Sequence, residues 1–425
     1  MQNYRQIPIR SVFVWSLIAL AIILLLVLLD VGKNVYTELL WFESVGYREV
    51  YTKIILTRVW LFGAGAGIFL VAFLANALIA LRLSRHNEPS MLPPETIVLI
   101  RGLTRLGVVL AAVIFLMVFG SAASGQWENL LRYGSAVPFV NAQSAEITDP
   151  LYSRNPSFYI FSLPLWRFLQ TWSVGLLVVL LLASFAIYAA GFSLRGFRFY
   201  FSPAVKMHLL TLGALLALAV AISYWFDLQE LVLSTRALDG SLFGAGATDV
   251  SSVSIALRIM IVLTLLLAVV VIAGAFRPGF SLPLTGFAAW TGSSILLLSV
   301  VPAGYQRLAV QPNELTREAP YIRRNIDMTR EAYDIGDIGE AQFPINEGPP
   351  PAVAVTNPVL VENIRLWDDV PMLDTLNQIQ FFRPYYTFLD VDVDRYVVGD
   401  RVRQVMLAAR ELTPEKLPGE AQSWV

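Results

Sequence analysis

Residues Phe280 to Tyr305, FSLPLTGFAAWTGSSILLLSVVPAGY, run for 26 positions without a charge. At 1.5 Å of rise per residue, a helix of that length crosses a hydrocarbon layer of about 30 Å with room to tilt. The chain before this stretch reads as membrane and the chain after it as water-soluble protein, so this is expected to be the last span. The 425 residues are 56% hydrophobic and 15% charged, and most of the apolar excess precedes residue 306.

Composition also excludes function classes. A net charge of -1 with no basic run offers no electrostatic footprint for nucleic acid. The absence of cysteine removes disulfides, thiolate metal sites, haem attachment and cysteine nucleophiles. The two histidines, His86 and His208, each sit close to an expected membrane boundary and far from one another, so no histidine-rich metal site is expected.

Ser11 to Leu29 is an uninterrupted apolar run behind Arg5 and Arg10. It is longer than a signal-peptide core and lacks a small-residue cleavage site, so it reads as a retained span. Between Asp30 and Arg58, aromatic and charged residues alternate, which suits either a short helix in the interface or an ordinary loop with aromatic anchors. Further apolar segments cover Val59 to Leu81, Leu106 to Ala123, Phe168 to Gly191, His208 to Phe226 and Ala256 to Phe276, giving seven spans with the last. One set of connections holds Arg5 and Arg10, then Arg82, Arg85, Arg101 and Arg105, then Arg195, Arg198 and Lys206, then Arg277. By the excess of Lys and Arg in short cytoplasmic loops, this set is cytoplasmic, and seven spans then put the C-terminal part outside.

The outer connections are longer. Ser124 to Arg167 carries the turn signals Asp149-Pro150 and Asn155-Pro156, followed by an aromatic run expected to return into the interface. Asp227 to Val253 ends in GSLFGAGATDVSS, a glycine-rich loop without a nucleotide-binding spacing. Beyond Tyr305, Asn313 to Tyr333 fits an amphipathic helix interrupted near Pro320, with Ile322, Ile326 and Tyr333 near one face. Gly348 to Pro358 is a proline-rich linker, Val359 to Arg365 and Phe388 to Val398 read as strands, and Asp368 to Phe382 reads as a helix.

No ionisable residue falls at a span centre, which argues against proton-coupled pumps and voltage sensors. Arg258 lies near the outer end of the sixth span, where it can snorkel, and Asn76 and Ser223 are polar but uncharged. Gly63, Gly65 and Gly67 allow close helix approach, as packing within the chain or as an oligomer interface, and Gly292, Ser293 and Ser294 admit the same reading. Asp390, Asp392 and Asp394 alternate along one segment. They read either as oxygen ligands for a hard cation or as the wet face of a strand with Val391 and Val393 inward, and the spacing lacks the glycine and glutamate of a calcium loop. No catalytic residue, cofactor site or metal site is assigned.

Three C-terminal stretches carry a resemblance: YIRRNIDMTREAYDIG (Tyr321 to Gly336), NIRLWDDVPMLDTLNQIQFFRPYYTFLDVDVDRY (Asn363 to Tyr396) and RQVMLAARELTPEKLPGEAQSWV (Arg403 to Val425). With WFESVGYREVY (Trp41 to Tyr51), TDPLYSRNPSFYIFSLP (Thr148 to Pro164) and GAGATDV (Gly244 to Val250), the chain resembles the large bacterial membrane proteins grouped as uncharacterised protein family 0182. The resemblance implies about seven N-terminal spans, a large extracytoplasmic region, and a chain that is the N-terminal part of a longer protein. It implies no catalytic residue.

The expected architecture is therefore a membrane all-α part with seven transmembrane helices, residues 1–305, followed by a partial α+β extracytoplasmic domain, residues 306–425. The expected function is that of a multi-pass scaffold of the cell membrane, whose partners are the lipid bilayer and proteins or further copies of itself, with no nucleic acid. A channel or transporter for a lipidic or neutral solute is the first alternative, and an extracytoplasmic aspartate-dependent hydrolase the second.

Overall fold

The computed structural model of the protein describes residues 9–84, 92–141, 144–193, 201–336, 338–339, 341–343 and 358–419. His86, Arg85, Arg195 and Arg198 lie outside the described residues, as does the proline-rich linker apart from Pro358. The chain forms two compact units, Met1–Ile338 and Gly339–Val425.

The first unit is helical. Its principal helices are α1 (Ile9–Ser44), α2 (Arg48–Ser84), α3 (Pro94–Ser124), the short α4 (Trp127–Gly134), α5 (Leu163–Ser193), α6 (Pro203–Glu230) and α7 (Ser254–Ala275). The column then continues as α8 (Ser281–Ile295), α9 (Val301–Tyr305) and α10 (Glu314–Ala332). Six helical stretches among the described residues are long and apolar enough to cross a membrane: Arg48–Ser84, Pro94–Ser124, Phe158–Phe192, Pro203–Leu233, Asp249–Ala275 and Ser281–Ala332. Their outward faces are apolar, with Val71 71% and Val98 72% exposed, as a surface bathed in lipid would be.

Helices α2 and α3 run antiparallel, whereas α2 and α5 lie side by side in the same direction. Phe69 and Phe73 of α2 pack on Ala112 and Phe119 of α3 and on Leu180 of α5. Ala77 and Ala80 at the end of α2 meet Ile187, Tyr188 and Phe192 at the end of α5 and Val205 at the start of α6. Leu210, Ala214 and Ala217 of α6 then meet Leu267, Ala268 and Val271 of α7. The few polar side chains in these interfaces are satisfied, as a medium without water requires. Asn76 donates to the Leu180 carbonyl at 3.1 Å and to Ser184 Oγ at 2.9 Å, tying α2 to α5. Trp290 Nε1 donates to Thr264 Oγ1 at 2.8 Å, tying α8 to α7.

Three π-helical turns, Phe158–Ser162, Leu296–Val300 and Gln306–Val310, each end two residues before a proline: Pro164, Pro302 and Pro312. A proline ring clashes with the carbonyl four residues back, and that carbonyl lies at the middle of the π turn in each case. The widened turn makes room for it, so the helix bends without breaking. A fourth π turn, Asp249–Val253, leads into α7 with no proline.

Several expectations need correction. Asp30 to Arg58 holds no separate interfacial helix, because α1 runs on to Ser44 and α2 begins at Arg48 after a turn. The only break there is the turn itself, and the Lys33–Asp30 ion pair at 2.8 Å sits on a continuous helix. The aromatic run after Pro156 does not return along the interface but winds directly into α5 through the π turn. Helix α10 passes through Pro320 without interruption. The first compact unit, Met1–Ile338, includes α10.

The second unit holds α11 (Pro358–Glu362), α12 (Asp369–Ile379) and two antiparallel pairs, β1 (Tyr386–Phe388) with β4 (Arg410–Leu412) and β2 (Asp392–Val398) with β3 (Arg401–Leu407). Asp368 caps α12 by accepting from the Asp369 N–H, in line with the expected helix. Val359 to Arg365 is not a strand: Pro358 starts a short helix, the position at which proline's fixed φ favours one. The expected strand Phe388 to Val398 is split between β1 and β2. Val391 is buried, but Val393 remains 42% exposed. Leu366 and Phe382 are 97% and 90% exposed, so this unit leaves much apolar surface uncovered.

One close helix crossing involves the middle glycine of the GAGAG run. A Cβ on Gly65 would stand 2.6 Å from Ala123 Cβ and 3.1 Å from the Phe119 carbonyl, whereas Gly63 and Gly67 have nothing within 4 Å. The run therefore serves packing within the chain at its centre and leaves its flanks open. Gly65→Leu is expected to lower stability by about 2 kcal/mol through overpacking, and Gly63→Leu to change it by less than about 0.5 kcal/mol. Thermal unfolding in detergent compares them; equal melting temperatures for the two variants would show that this crossing is not tight.

Candidate functional site

At the end of the bundle opposite Lys206 and Arg277, the long connections fold into a cap. Its first half is organised by Asp149, which is 4% exposed. Oδ1 accepts from the backbone N–H of Leu151 at 2.9 Å and of Tyr152 at 2.7 Å. Oδ2 accepts from the Arg154 N–H at 2.7 Å and the Tyr159 hydroxyl at 2.9 Å. A short acidic side chain before proline is a turn former because it reaches its own downstream amides, and here the whole carboxylate is used that way. Asn155 performs the matching task. Its amide donates to the Phe139 and Ile147 carbonyls at 2.9 and 3.1 Å, while its oxygen accepts from the Phe139 N–H at 3.0 Å. Both turn signals thus mark loop-closing side chains.

The cap is anchored on the bundle through Tyr152, whose hydroxyl donates to the Leu228 carbonyl at 2.6 Å. Burial pushes this hydroxyl up to about 12, with Arg258 opposing and Asp149 and Asp249 adding to the rise, so it stays a donor. Arg154 lies over the Phe158 ring at 4.5 Å and the Trp225 ring at 5.6 Å. Arg167 pairs with Asp227 and, at 3.3 Å, with Glu230, and it also donates to the Ser223 carbonyl and hydroxyl at 3.1 Å. These ionisable groups occupy helix ends, not span centres. Arg258 is exposed near the start of α7, where the snorkelling expectation puts it.

The second half of the cap is the glycine-rich loop, and it does hold an anion. The anion is the Glu318 carboxylate of α10, 1% exposed, which accepts from the Ala247 N–H at 2.9 Å. A Cβ on Gly246 would stand 2.9 and 3.2 Å from the two Glu318 oxygens, so glycine is required for this approach. Asp249, also buried, accepts from the Gly246 N–H at 3.4 Å and lies 3.5 Å from the Arg236 guanidinium. Two further contacts hold the same loop to the helical column: Thr248 to Gln306, and Asn325 to the Phe243 carbonyl at 2.6 Å. The docking face of α10 is consequently Glu318, Tyr321, Asn325, Met328 and Ala332. Ile326 and Tyr333, expected on the packed face, are 45% and 75% exposed.

Between the cap and α10 lies a cavity of about 350 Å³. Ile160, Val232, Leu242, Phe243 and Met328 supply apolar wall, and Tyr321, Arg324 and Asn325 supply the polar groups. Such a site is built to hold an apolar or amphiphilic molecule; its acid, Asp149, is fully occupied by its own loop. The sequence reading assigned no site residue, and it passed over Glu318, Asp249 and Arg167. The available signal was an acid inside a glycine-rich or Asp-Pro stretch, but the partner lies 71 residues away in the case of Glu318 and Ala247.

Asp392 and Asp394 sit on exposed strand β2, and Asp390 and Asp394 accept from the next backbone N–H, at 2.7 Å each. Among the described residues, no group of three His, Cys, Asp or Glu is placed to hold a metal ion. His208 Nδ1 lies 2.7 Å from the Tyr188 hydroxyl, a pairing that satisfies both. Removing the Glu318 carboxylate should free the loop from α10. Glu318→Ala is expected to cost about 2 kcal/mol, as for a buried hydrogen bond to a charged group, and, by loosening the loop that carries the already exposed Phe243, to speed limited chymotryptic cleavage there. Cleavage unchanged from the parent protein would mean that the contact does not hold the cap.

A model of the uncharacterised protein family UPF0182 matches residues 15–425. A UPF0182 protein of Moorella thermoacetica is 34% identical over 97% of this chain and 45% of its own length. UPF0182 proteins of Trichodesmium erythraeum and Cupriavidus necator are 31% and 33% identical, over 97% and 95% of this chain and 44% of their own lengths. The chain therefore spans less than half the length of these curated relatives. No solved structure matches it. With the family model covering all but the first 14 residues, the chain belongs to the uncharacterised protein family UPF0182.

Proposed function

We propose that the protein is a non-enzymatic scaffold of the bacterial cell membrane that holds its C-terminal region on the extracytoplasmic face and binds lipid or protein there. The observation that carries this reading is the capped end of the bundle. Its cavity has apolar walls with Arg324 in the lining, and the buried acids around it accept from loop N–H groups. That arrangement favours holding a molecule over transforming one. Helix α1, 36 residues long and containing the Ser11 to Leu29 run, serves as the seventh span. Apolar side chains left open in residues 339–425, such as Phe381 and Phe382, suit covering by protein, and the open flanks at Gly63 and Gly67 suit a second copy.

Orientation follows from charge. At the capped end, Arg132, Arg167 and Arg236 each have an acidic partner. The other end gathers Arg82, Arg101, Arg105, Lys206 and Arg277, and that excess of Lys and Arg supports placing it in the cytoplasm. A second reading, a channel or transporter for a lipidic or neutral solute, is favoured by the π turns. Such turns cluster at functional sites, and here they occur in the stretches leading into α5 and α7 and on either side of α9.

Two measurements test these statements. The protein has no native thiol, so Gln342→Cys should react with an impermeant maleimide in intact cells. Labelling that requires lysis would reverse the orientation. Purification from native membranes in lipid discs, with mass spectrometry of whatever stays bound, should recover stoichiometric protein or lipid. A soluble small molecule recovered instead would favour transport and end the scaffold reading.

A further inference from the structure

On the membrane-facing side, α5, α6, α7 and α8 enclose an open groove of about 780 Å³. Its walls are almost wholly apolar, with Leu182, Phe185, Gly213, Leu284, Phe287 and Trp290 among the lining residues. Leu182, Phe185 and Leu284 are 62%, 56% and 67% exposed, so the groove opens to the lipid. Nothing polar within it asks for a hydrophilic solute, since the lining Thr264 hydroxyl donates to the Met260 carbonyl and accepts from Trp290.

One end of the groove is different. Phe201 and Phe280, both lining it, meet edge to face at 4.9 Å. Lys206 Nζ lies 5.3 Å from the Phe280 ring centroid and donates to the Arg277 carbonyl. Arg277 is exposed, and neither cation has a carboxylate partner among the described residues. The same end carries the N-terminus of α8, which has no side-chain cap. Uncapped amide donors at a helix start add positive potential to the two side-chain charges. An apolar trough whose Phe280 end is backed by the buried Lys206 and followed by the exposed Arg277 is complementary to one molecule class, an acyl chain joined to a negatively charged headgroup.

We propose that this groove is a binding site for one anionic phospholipid, its acyl chain along α6 and α8 and its phosphate at Arg277, Lys206 and the start of α8. The assignment rests on the membrane reading above and names the lipid class that one face of the bundle selects. Gly213 lines the trough beside α7, where a Cβ would meet Val271 Cγ1 in ordinary contact at 3.6 Å and a longer side chain would extend into the open space.

The test is to reconstitute the full chain in lipid discs of equimolar phosphatidylglycerol and phosphatidylcholine, release it into mild detergent, and count retained lipids by native mass spectrometry. Retained lipid should be enriched in phosphatidylglycerol over the equimolar bulk. Arg277→Gln should reduce that enrichment roughly tenfold, the loss of one charge-assisted contact. Gly213→Leu, which fills the trough without touching the cations, should abolish tight retention. A retained ratio equal to the bulk would overturn the site, as would Arg277→Gln behaving like the parent or Gly213→Leu still holding phosphatidylglycerol. Failure of the parent chain to enter discs at all would instead count against the membrane reading.

Discussion

A carboxylate removed from water must be met by donors, and in this protein the Glu318 carboxylate is met by the glycine-rich loop between α6 and α7. Much of the capped end depends on that contact. The loop bends closely enough to present the Ala247 N–H because Gly246 has no side chain, and α10 is held over the cap because its one buried residue is the acid. Thr248 with Gln306 and Asn325 with Phe243 extend the seam along the column. Without the seam, α10 would be a polar helix with little apolar area to bury. The cavity beneath it would lose its roof. A glycine-rich loop that cradles an anion is usually a sign of phosphate binding; here the anion is internal, and the loop's task is assembly.

The bilayer sets the other constraint. Within the helical part, side chains that face outward are apolar and those that face one another mix alanine and aromatic rings with leucine and valine, so packing relies on close approach and a few hydrogen bonds. Gly65 against Ala123, Asn76 against Ser184 and Trp290 against Thr264 are examples of the two devices. Prolines are accommodated by π turns placed so that the clashing carbonyl falls in the widened turn. Pro164 bends the entry of α5 beneath the cap in this way, and Pro302 and Pro312 bend the column that carries α10.

What the sequence made legible was what depends on local composition. Apolar runs marked the helices, since each expected span from Val59 onward coincides, to within one residue, with part of a long apolar helix. Asp149-Pro150 and Asn155-Pro156 marked turns, and Asp368 marked the start of α12. What stayed hidden depends on partners distant in the chain. The periodicity of α10 suggested Ile322, Ile326 and Tyr333 as its packed face, but the partner surface is a loop of backbone donors, and such a surface selects Glu318 and Asn325. Val359 to Arg365 is rich in β-branched residues, but Pro358 fixes the backbone for a first helical turn there. The groove cations were visible as charges and were counted for orientation, but their unpaired state and their place at the mouth of an apolar trough are tertiary facts.

The two ends of the bundle solve the same electrostatic problem differently. Near the cap, two basic residues are met by acids of the chain itself, Arg167 by Asp227 and Glu230 and Arg236 by Asp249, while Arg154 rests on the Phe158 and Trp225 rings. Desolvating such pairs is tolerable because each charge brings its own counter-charge and further hydrogen bonds. At the opposite end Lys206 is 6% exposed, yet what it reaches is a carbonyl and an aromatic face, not an acid. A buried ammonium with only dipolar neighbours draws in any anion that can approach it, and in a membrane the anion always at hand is a lipid headgroup. An end neutralised from within keeps its shape regardless of the surrounding lipid, which suits a cap that encloses a cavity. On the proposed assignment, an end left to be neutralised from outside takes its counter-charge from a lipid headgroup, and the exposed apolar trough beside Phe280 holds that lipid's acyl chain.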